Sequence, residues 1–381
     1  MKTVFISERL ESNICAKTHL KAFESLLSKE ELLIIDLNPC ENARRDDNHI
    51  YLGKFNKLDK IKWLTQQTTW YLTNDRILKI CHYINEFGPK VVFIDDSCFG
   101  KLEKAIKSRI PNVKIVTFYH DIIADLYQQN SKNNDIKYKV LMHYAAIKGE
   151  RLNQEYSDMH FVLNNRDASL FTKYYNKYPD GLLPMAVAEP DLNNKVAVEF
   201  DFKTFKNSNN KLILFVGALY KPNLDGLRWF VDNVFCKLHS KYTLLVIGRG
   251  LEKIVDDYQD VENMKIIGAV DQLAPYYNNA DIVIAPLFSG GGMKQKTAEA
   301  FAYGKTFIGT TESMQGYEEE LTIKENQYNI VFSCDSPEEQ IRTFDYIEKN
   351  NLYGFHQSLN TAYEKKYSSK ALEEILRGIY R

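Results

Sequence analysis

A short β-branched or aliphatic run followed by a longer amphipathic stretch recurs along this chain in two separate blocks. That alternation restricts the fold sharply. Parallel strands cannot be joined by a tight hairpin, so each needs a crossover, usually a helix packed on the sheet. In the first block the strand candidates are Thr3–Ser7, Leu32–Asp36, 91–95, 114–118 and 160–163, with helical spacing over 77–87 and 101–109. In the second they are 211–217, 243–248, Met264–Ile267, 281–286 and Thr306–Gly309, with helices over about 223–238 and 295–303.

A polar stretch rich in Asn, Lys and Asp, residues 188–210, separates the blocks. The 381 residues suit two domains of roughly 100–200 residues each. The expected fold class is α/β, with two Rossmann-like domains facing each other across a cleft. The first domain is placed at 1–190 and the second at 200–350, and the helical, polar segment 351–381 is expected to pack back toward the first. Ligands of such sheets bind outside the carboxyl ends of the strands, which makes the cleft the expected active site.

Composition narrows the function. With 49 Lys plus Arg against 50 Asp plus Glu, the net charge of −1 removes the global electrostatic reason to expect a nucleic-acid partner. No run approaches the roughly 18 apolar residues that span a bilayer, and the apolar start is broken at once by Ser7-Glu8-Arg9, so neither a transmembrane helix nor a signal peptide is expected. The six cysteines, Cys15, Cys40, Cys81, Cys98, Cys236 and Cys334, lie far apart without metal or redox spacing. Free thiols in a reducing cytoplasm are the economical reading.

The chemistry concentrates in Ser289-Gly-Gly-Gly-Met-Lys-Gln-Lys-Thr-Ala-Glu-Ala-Phe-Ala-Tyr-Gly-Lys305, which follows a strand and opens a helix. Bare amides and the positive end of a helix receive phosphate there, and consecutive glycines let the backbone approach a ligand closely. Lys294 and Lys296 stand where an ammonium can neutralise a diphosphate. Glu299, one turn deeper than Lys296, can accept two ribose hydroxyl protons. Taken piecemeal, the same residues also describe a surface turn and a solvated helix start.

This stretch resembles the GT-B glycosyltransferases, specifically the large retaining family four that uses nucleotide-sugar donors. The family commonly shows a glycine-rich loop, basic residues and then Glu-Ala-x-Ala-x-Gly, and this chain reads Gly290-Gly-Gly-Met-Lys294-Gln-Lys296-Thr-Ala-Glu299-Ala-Phe-Ala-Tyr-Gly304. Phe215-Val-Gly217-Ala-Leu-Tyr-Lys221-Pro-Asn223 looks like the segment that faces the donor phosphates. Val246-Ile-Gly248-Arg249-Gly250 and Ile267-Gly268 fall where nucleotide-facing loops fall. Many members carry another glutamate eight residues before the ribose-binding one; here Gly291 stands there.

The resemblance implies transfer of a sugar, plausibly a hexose, from a nucleotide diphosphate sugar such as a UDP-sugar to a saccharide or lipid-linked hydroxyl acceptor. It implies retention of anomeric configuration, in the building of a bacterial surface polysaccharide or glycoconjugate. Glu299 would hold the ribose, and Lys296 with Lys221 or Lys294 the diphosphate. Gly217, Asn223, Gly248, Arg249, Gly291, Gly292, Met293 and Thr297 would complete the donor site. With no Asp-x-Asp motif at a suitable loop, no metal and no cofactor beyond the co-substrate is expected.

In the first block His120 ends a strand. On residues alone it reads equally as a satisfied structural histidine; the histidine that many family members have there places it in the donor-sugar and acceptor pocket. Asp121 reads as a group that orients His120 or as a helix N-cap, and Asp167 as a helix N-cap. Asn13, in the loop after the first strand, and Arg166, in a helix-start turn, are the acceptor-side candidates, with a surface arginine as the alternative for the latter. Lys54, Lys57, Lys60 and Lys62 with Trp63 and Trp70, and Lys101, Lys104, Lys107 and Arg109 beside Leu102, Ile106 and Ile110, suit peripheral docking on anionic lipid or equally solvated helix faces. Two rival functions share the architecture, a nucleotide-sugar 2-epimerase and a catalytically silent partner subunit. A nicotinamide dehydrogenase is disfavoured because neither block carries Gly-x-Gly-x-x-Gly after its first strand.

Overall fold

The computed structural model describes residues 1–8, 10, 13–38, 46–53, 55–66, 68, 71–130, 143, 148–193, 200–205, 210–290 and 292–380. The chain divides into two compact units, Met1–Pro184 with Leu372–Arg381, and Met185–Ala371. The division therefore falls just before the polar stretch expected to carry it. Residues 351–371, expected with the first domain, pack in the second unit, and the chain rejoins the first only at Leu372. There Tyr380 Oη lies 2.9 Å from Thr3 Oγ1, and Lys114 Nζ donates to the Ile379 carbonyl at 2.6 Å.

The first unit is built on β1 (Thr3–Ser7), β2 (Leu32–Asp36), β3 (His49–Tyr51), β4 (Val91–Ile94), β5 (Lys114–Tyr119), β6 (Met159–Val162) and β7 (Gly181–Leu182). These pair in parallel in the order β3-β2-β1-β4-β5-β6-β7. Its helices are α1 (Ile14–Leu26), α2 (Lys57–Gln66), α3 (Asn74–Phe87), α4 (Gly100–Arg109), α5 (Ile123–Asn130), α6 (Arg151–Tyr156) and α7 (Asn165–Tyr175). Strands β1, β2 and β4 are buried at every position, as strands covered on both faces must be, so their sequences are apolar runs without alternation. Phe5 and Phe93 stack between them at 5.7 Å and 7°.

The second unit carries α8 (Phe202–Phe205), β8 (Lys211–Val216), α9 (Lys221–Asn233), β9 (Tyr242–Ile247), β10 (Met264–Ile267), α10 (Ala274–Asn279), β11 (Ile282–Ala285), α11 (Gln295–Ala302), β12 (Thr306–Gly309), a hairpin β13 (Lys324–Glu325) with β14 (Tyr328–Asn329), and β15 (Val331–Ser333). Helices α12 (Pro337–Lys349), α13 (Gln357–Lys366) and α14 (Ser369–Gly378) follow. The main sheet is parallel, in the order β10-β9-β8-β11-β12-β15. The edge strands β3, β7 and β15 were not anticipated, since strands of two or three residues, none of them buried throughout, leave no apolar run to read.

In each sheet the strand order reverses once, between β1 and β4 and between β8 and β11. Helices leave opposite faces on either side of such a point, opening a crevice at the carboxyl ends. Asp95 follows β4, Gly217 follows β8, and the glycine-rich loop follows β11.

Candidate active site

Glycines let three loops meet at the switch point of the second sheet. A Cβ on Gly248 would stand 1.9 Å from the Gly217 carbonyl oxygen, and one on Gly226, in α9, 2.0 Å from the Pro286 carbonyl oxygen. The loops after β8 and β9 are then stitched by Gly217 N–H to the Ile247 carbonyl (2.8 Å) and Leu219 N–H to the Arg249 carbonyl (2.9 Å). Gly290 and Gly292 take φ of +131° and +65°, where a side chain is strained; Gly291 lies outside the described residues. The N-cap residue of α11, Lys294, makes no side-chain cap, and the leading amides and positive end of such a helix start suit an anionic ligand.

Into this frame α11 projects Lys296. Its Nζ donates to Asn223 Oδ1 at 2.8 Å and lies 4.6 Å from the centre of the Phe215 ring. A Cβ on Gly217 would be 2.9 Å from that nitrogen and from Asn223 Cγ, so the glycine makes room for the ammonium. Burial pushes the Lys296 pKa down to about 7, opposed by the Glu299 charge and aided by Lys294. Asn223 is oriented in turn by donating to the Ala218 carbonyl at 2.9 Å.

One turn deeper, Glu299 receives Tyr277 Oη–H on Oε2 and Gln295 Nε2–H on Oε1, both at 2.8 Å. Burial raises its pKa; the two hydrogen bonds and Lys296 oppose the rise. Tyr277, from α10, stacks on Tyr303 at 4.8 Å and 3°. Each carboxylate oxygen still has acceptor capacity after one hydrogen bond. The spacing of Gln295 and Glu299 by four made their contact readable in sequence; no local signal pointed to Tyr277.

The remaining donor-side candidates divide. Lys294 folds back over the glycine loop, donating to the Gly292 carbonyl and to Glu312 Oε1, each at 2.8 Å, so it braces the loop. Lys221 is exposed and paired with Asp225 at 2.5 Å. The Arg249 side chain is exposed. Met293 is buried, as is Thr297, whose hydroxyl donates to the Ser313 carbonyl at 3.0 Å. The structure thus gathers Gly217, Asn223, Gly248, Gly292, Lys294, Lys296 and Glu299, while Met293 and Thr297 serve packing.

In the first unit, His120 follows β5 directly and its Nε2 lies 3.1 Å from both the carbonyl oxygen and Oδ2 of Asp95. Asn13, expected to meet the acceptor, is the N-cap of α1, its Oδ1 accepting from Ala16 N–H at 3.2 Å. Arg166 is exposed on α7. The cap of α7 is Asn164, which accepts from Asp167 N–H at 3.0 Å; Asp167 is not the cap. At the start of α5, where Asp121 is the expected cap, the amides of Ile123 and Ala124 donate at 3.0 Å to the buried carboxylate of Glu150, from further along the chain.

Of the two basic faces, Lys54 and Trp70 lie outside the described residues, as do the side chains of Lys60 and Trp63. Helix α2 exposes Leu58 and Ile61, whereas on α4 Lys101 donates to the Gln66 carbonyl at 2.5 Å and Lys107 to Asp158 at 2.6 Å. Among the described residues no helix is long and apolar enough to cross a membrane.

Residues 210–346 match the glycosyl transferases group 1 family. No curated protein matches the sequence significantly. Solved structures with the same fold include a glycosyltransferase from Rickettsia africae ESF-5 (TM-score 0.69, 12% identity, covering 100% of this chain and 97% of that one). Anabaena Alr3699/HepE in complex with UDP and glucose is similar (TM-score 0.66, 10% identity, 99% and 98%), as is the lipopolysaccharide outer core galactosyltransferase WaaB (TM-score 0.65, 15% identity, 100% and 99%). The fold is therefore that of the GT-B glycosyltransferases. On that fold, the match to the glycosyl transferases group 1 family lies in the second unit, over residues 210–346.

Proposed function

We propose that the protein transfers a hexose from a UDP-sugar to a hydroxyl of a saccharide or lipid-linked acceptor, with retention of anomeric configuration, during synthesis of a bacterial surface polysaccharide or glycoconjugate. One observation carries the reading: a half-buried lysine and a half-buried carboxylate one helical turn apart, at the switch point of the second sheet and on a helix whose N-cap residue makes no side-chain cap. UDP in the Anabaena neighbour supports the choice of nucleotide, and the lipopolysaccharide role of WaaB supports the class of product.

On this reading Glu299, ionised and held by Tyr277 and Gln295, accepts both ribose hydroxyls. Lys296 and the first amides of α11 meet the diphosphate, whose charge grows as the glycosidic bond breaks. The leaving diphosphate takes up the acceptor proton on the same face, and the incoming oxygen bonds to the anomeric carbon on the side vacated. Charge is met by protein groups, so neither a metal nor a further cofactor is needed. Exposed Leu58 and Ile61 with Lys57 and Lys62 on α2 support contact with an anionic membrane surface, where a lipid-linked acceptor resides.

Calorimetry with UDP and uridine tests the site. Lys296→Ala should weaken UDP by at least about tenfold and uridine little, the loss of a charge-assisted contact; equal losses refute the phosphate assignment. Release of UDP from UDP-glucose in excess EDTA should proceed at the full rate, and loss restored only by divalent metal would refute metal independence. The anomeric coupling of the product, read by NMR, decides retention.

A further inference from the structure

Both ends of the glycine-rich loop are tied to one short segment, residues 310–317, a turn directly after β12. At the entry to the loop the Thr310 hydroxyl donates to the Leu287 carbonyl and the Ser313 hydroxyl to the Ala285 carbonyl. At its exit the Ser313 carbonyl accepts from Thr297 Oγ1 at 3.0 Å, and Tyr317 Oη–H donates to the Lys294 carbonyl at 3.1 Å. Glu312 Oε1 takes the Lys294 ammonium at 2.8 Å. The turn is itself closed by Met314 N–H to the Thr310 carbonyl (3.0 Å) and Tyr317 N–H to the Met314 carbonyl (2.8 Å). It is held from the far side by Thr311, whose amide and hydroxyl donate to the Asp335 carboxylate at 2.8 and 2.6 Å.

Thr310, Ser313 and Tyr317 are fully buried. Taking a hydroxyl out of water is costly and is offset only by a well-placed hydrogen bond, so packing alone does not call for three of them. What they share is their target. Each donates to a backbone carbonyl flanking the loop, and a bond to the backbone fixes the path of the chain whatever side chain stands there. Between these anchors the loop takes positive φ at Gly290 and Gly292, where glycine restrains the chain least, so its path is set from its ends. The Lys294 carbonyl also accepts from Thr297 N–H at 3.0 Å, so Tyr317 grips α11 at the N-cap itself.

We infer that Glu312, Ser313 and Tyr317 are positioning residues of the donor site. They act through the loop and not on the ligand: by clamping its entry and exit to one turn, they set the direction in which the first amides of α11 and Lys296 face a diphosphate. Lys294, engaged by Glu312 and by the Gly292 carbonyl, is then a strut of this clamp and not a phosphate ligand. The diphosphate rests on the transferase reading; the clamp does not.

A double-mutant cycle read by calorimetry with UDP and uridine, on the full chain, tests the clamp. Glu312→Ala should weaken UDP about fivefold or more and uridine less than about twofold. Lys294→Ala should cost the same, and the double variant no more than either alone, because all three remove one strut. Were Lys294 a phosphate ligand, Glu312→Ala would leave UDP affinity unchanged or raise it while Lys294→Ala lowered it, and that result overturns the proposal. A loss shared equally by UDP and uridine marks a general disturbance of the fold and overturns it too. Tyr317→Phe removes one hydroxyl from a buried ring and serves where Glu312→Ala fails to fold; it should lower UDP affinity with uridine retained, and unchanged UDP affinity counts against the clamp. Native protein that bound no UDP would sink the choice of nucleotide. Hydrogen exchange of the ligand-free protein would then decide the clamp: amides over residues 285–297 should exchange faster in Tyr317→Phe and Glu312→Ala than in the native chain, and equal exchange overturns it.

Discussion

Glu299 works only if it stays ionised in a half-buried site, and that depends on Tyr277 and Gln295. Tyr277→Phe removes one donor and lets the carboxyl pKa rise further. The KM for UDP-glucose should rise about three- to tenfold, in the range of a hydrogen bond to a charged group, with the melting temperature little changed; steady-state kinetics and calorimetry check this. Lys296 illustrates the opposite balance. Its native pKa of about 7 lies below the ordinary 10.5, so between those values the unfolded chain binds more protons and stability rises with pH. The penalty of burying the ammonium is complete below pH 7 and fades from pH 7 to about 10.5. Lys296→Met should therefore raise the ligand-free melting temperature, most at and below pH 7 and progressively less toward pH 10, while abolishing UDP binding. Thermal melts across that range read both signs. Glu299 and Lys296 were legible because their spacing on one helix start is local. The capping role of Asn13, the burial of Thr297 and the exposure of Arg249 were not, since neighbours distant in sequence decide each.

At the scale of elements, three strand ends and two helices converge only because glycines allow it. Gly248→Ala drives a methyl against the Gly217 carbonyl, which is backbone and cannot yield. The melting temperature should drop by several degrees, as for other overpacked sites, and UDP binding should be lost. Gly217→Ala meets instead the ends of the Lys296 and Asn223 side chains, which can swing aside. Its melting temperature should fall less, while UDP affinity falls as much as in Lys296→Ala. The strands themselves were readable, because a sheet covered on both faces leaves unbroken apolar runs. The contact of Glu150 with the first amides of α5 was not, because it comes from a separate segment further along the chain.

For the whole molecule, exposed Leu58 and Ile61 suggest one measurable property. The protein should cosediment with anionic phosphatidylglycerol vesicles and not with neutral ones, and Leu58→Glu with Ile61→Glu should abolish this without lowering UDP affinity. Binding that ignores vesicle charge, or survives the double substitution, would refute membrane docking through α2. The sequence by itself determined two parallel-sheet units, the second with a glycine loop, a lysine and a glutamate in fixed register, because strand burial and helix-start spacing are short-range patterns. Only the tertiary structure decided where the units divide, which lysine meets Asn223 at the switch point and which braces the loop. It alone revealed that one turn after β12 holds both ends of the glycine loop. Burial and charge pairing arise between segments that the chain order keeps apart, and they settle which ionisable side chains are poised for chemistry.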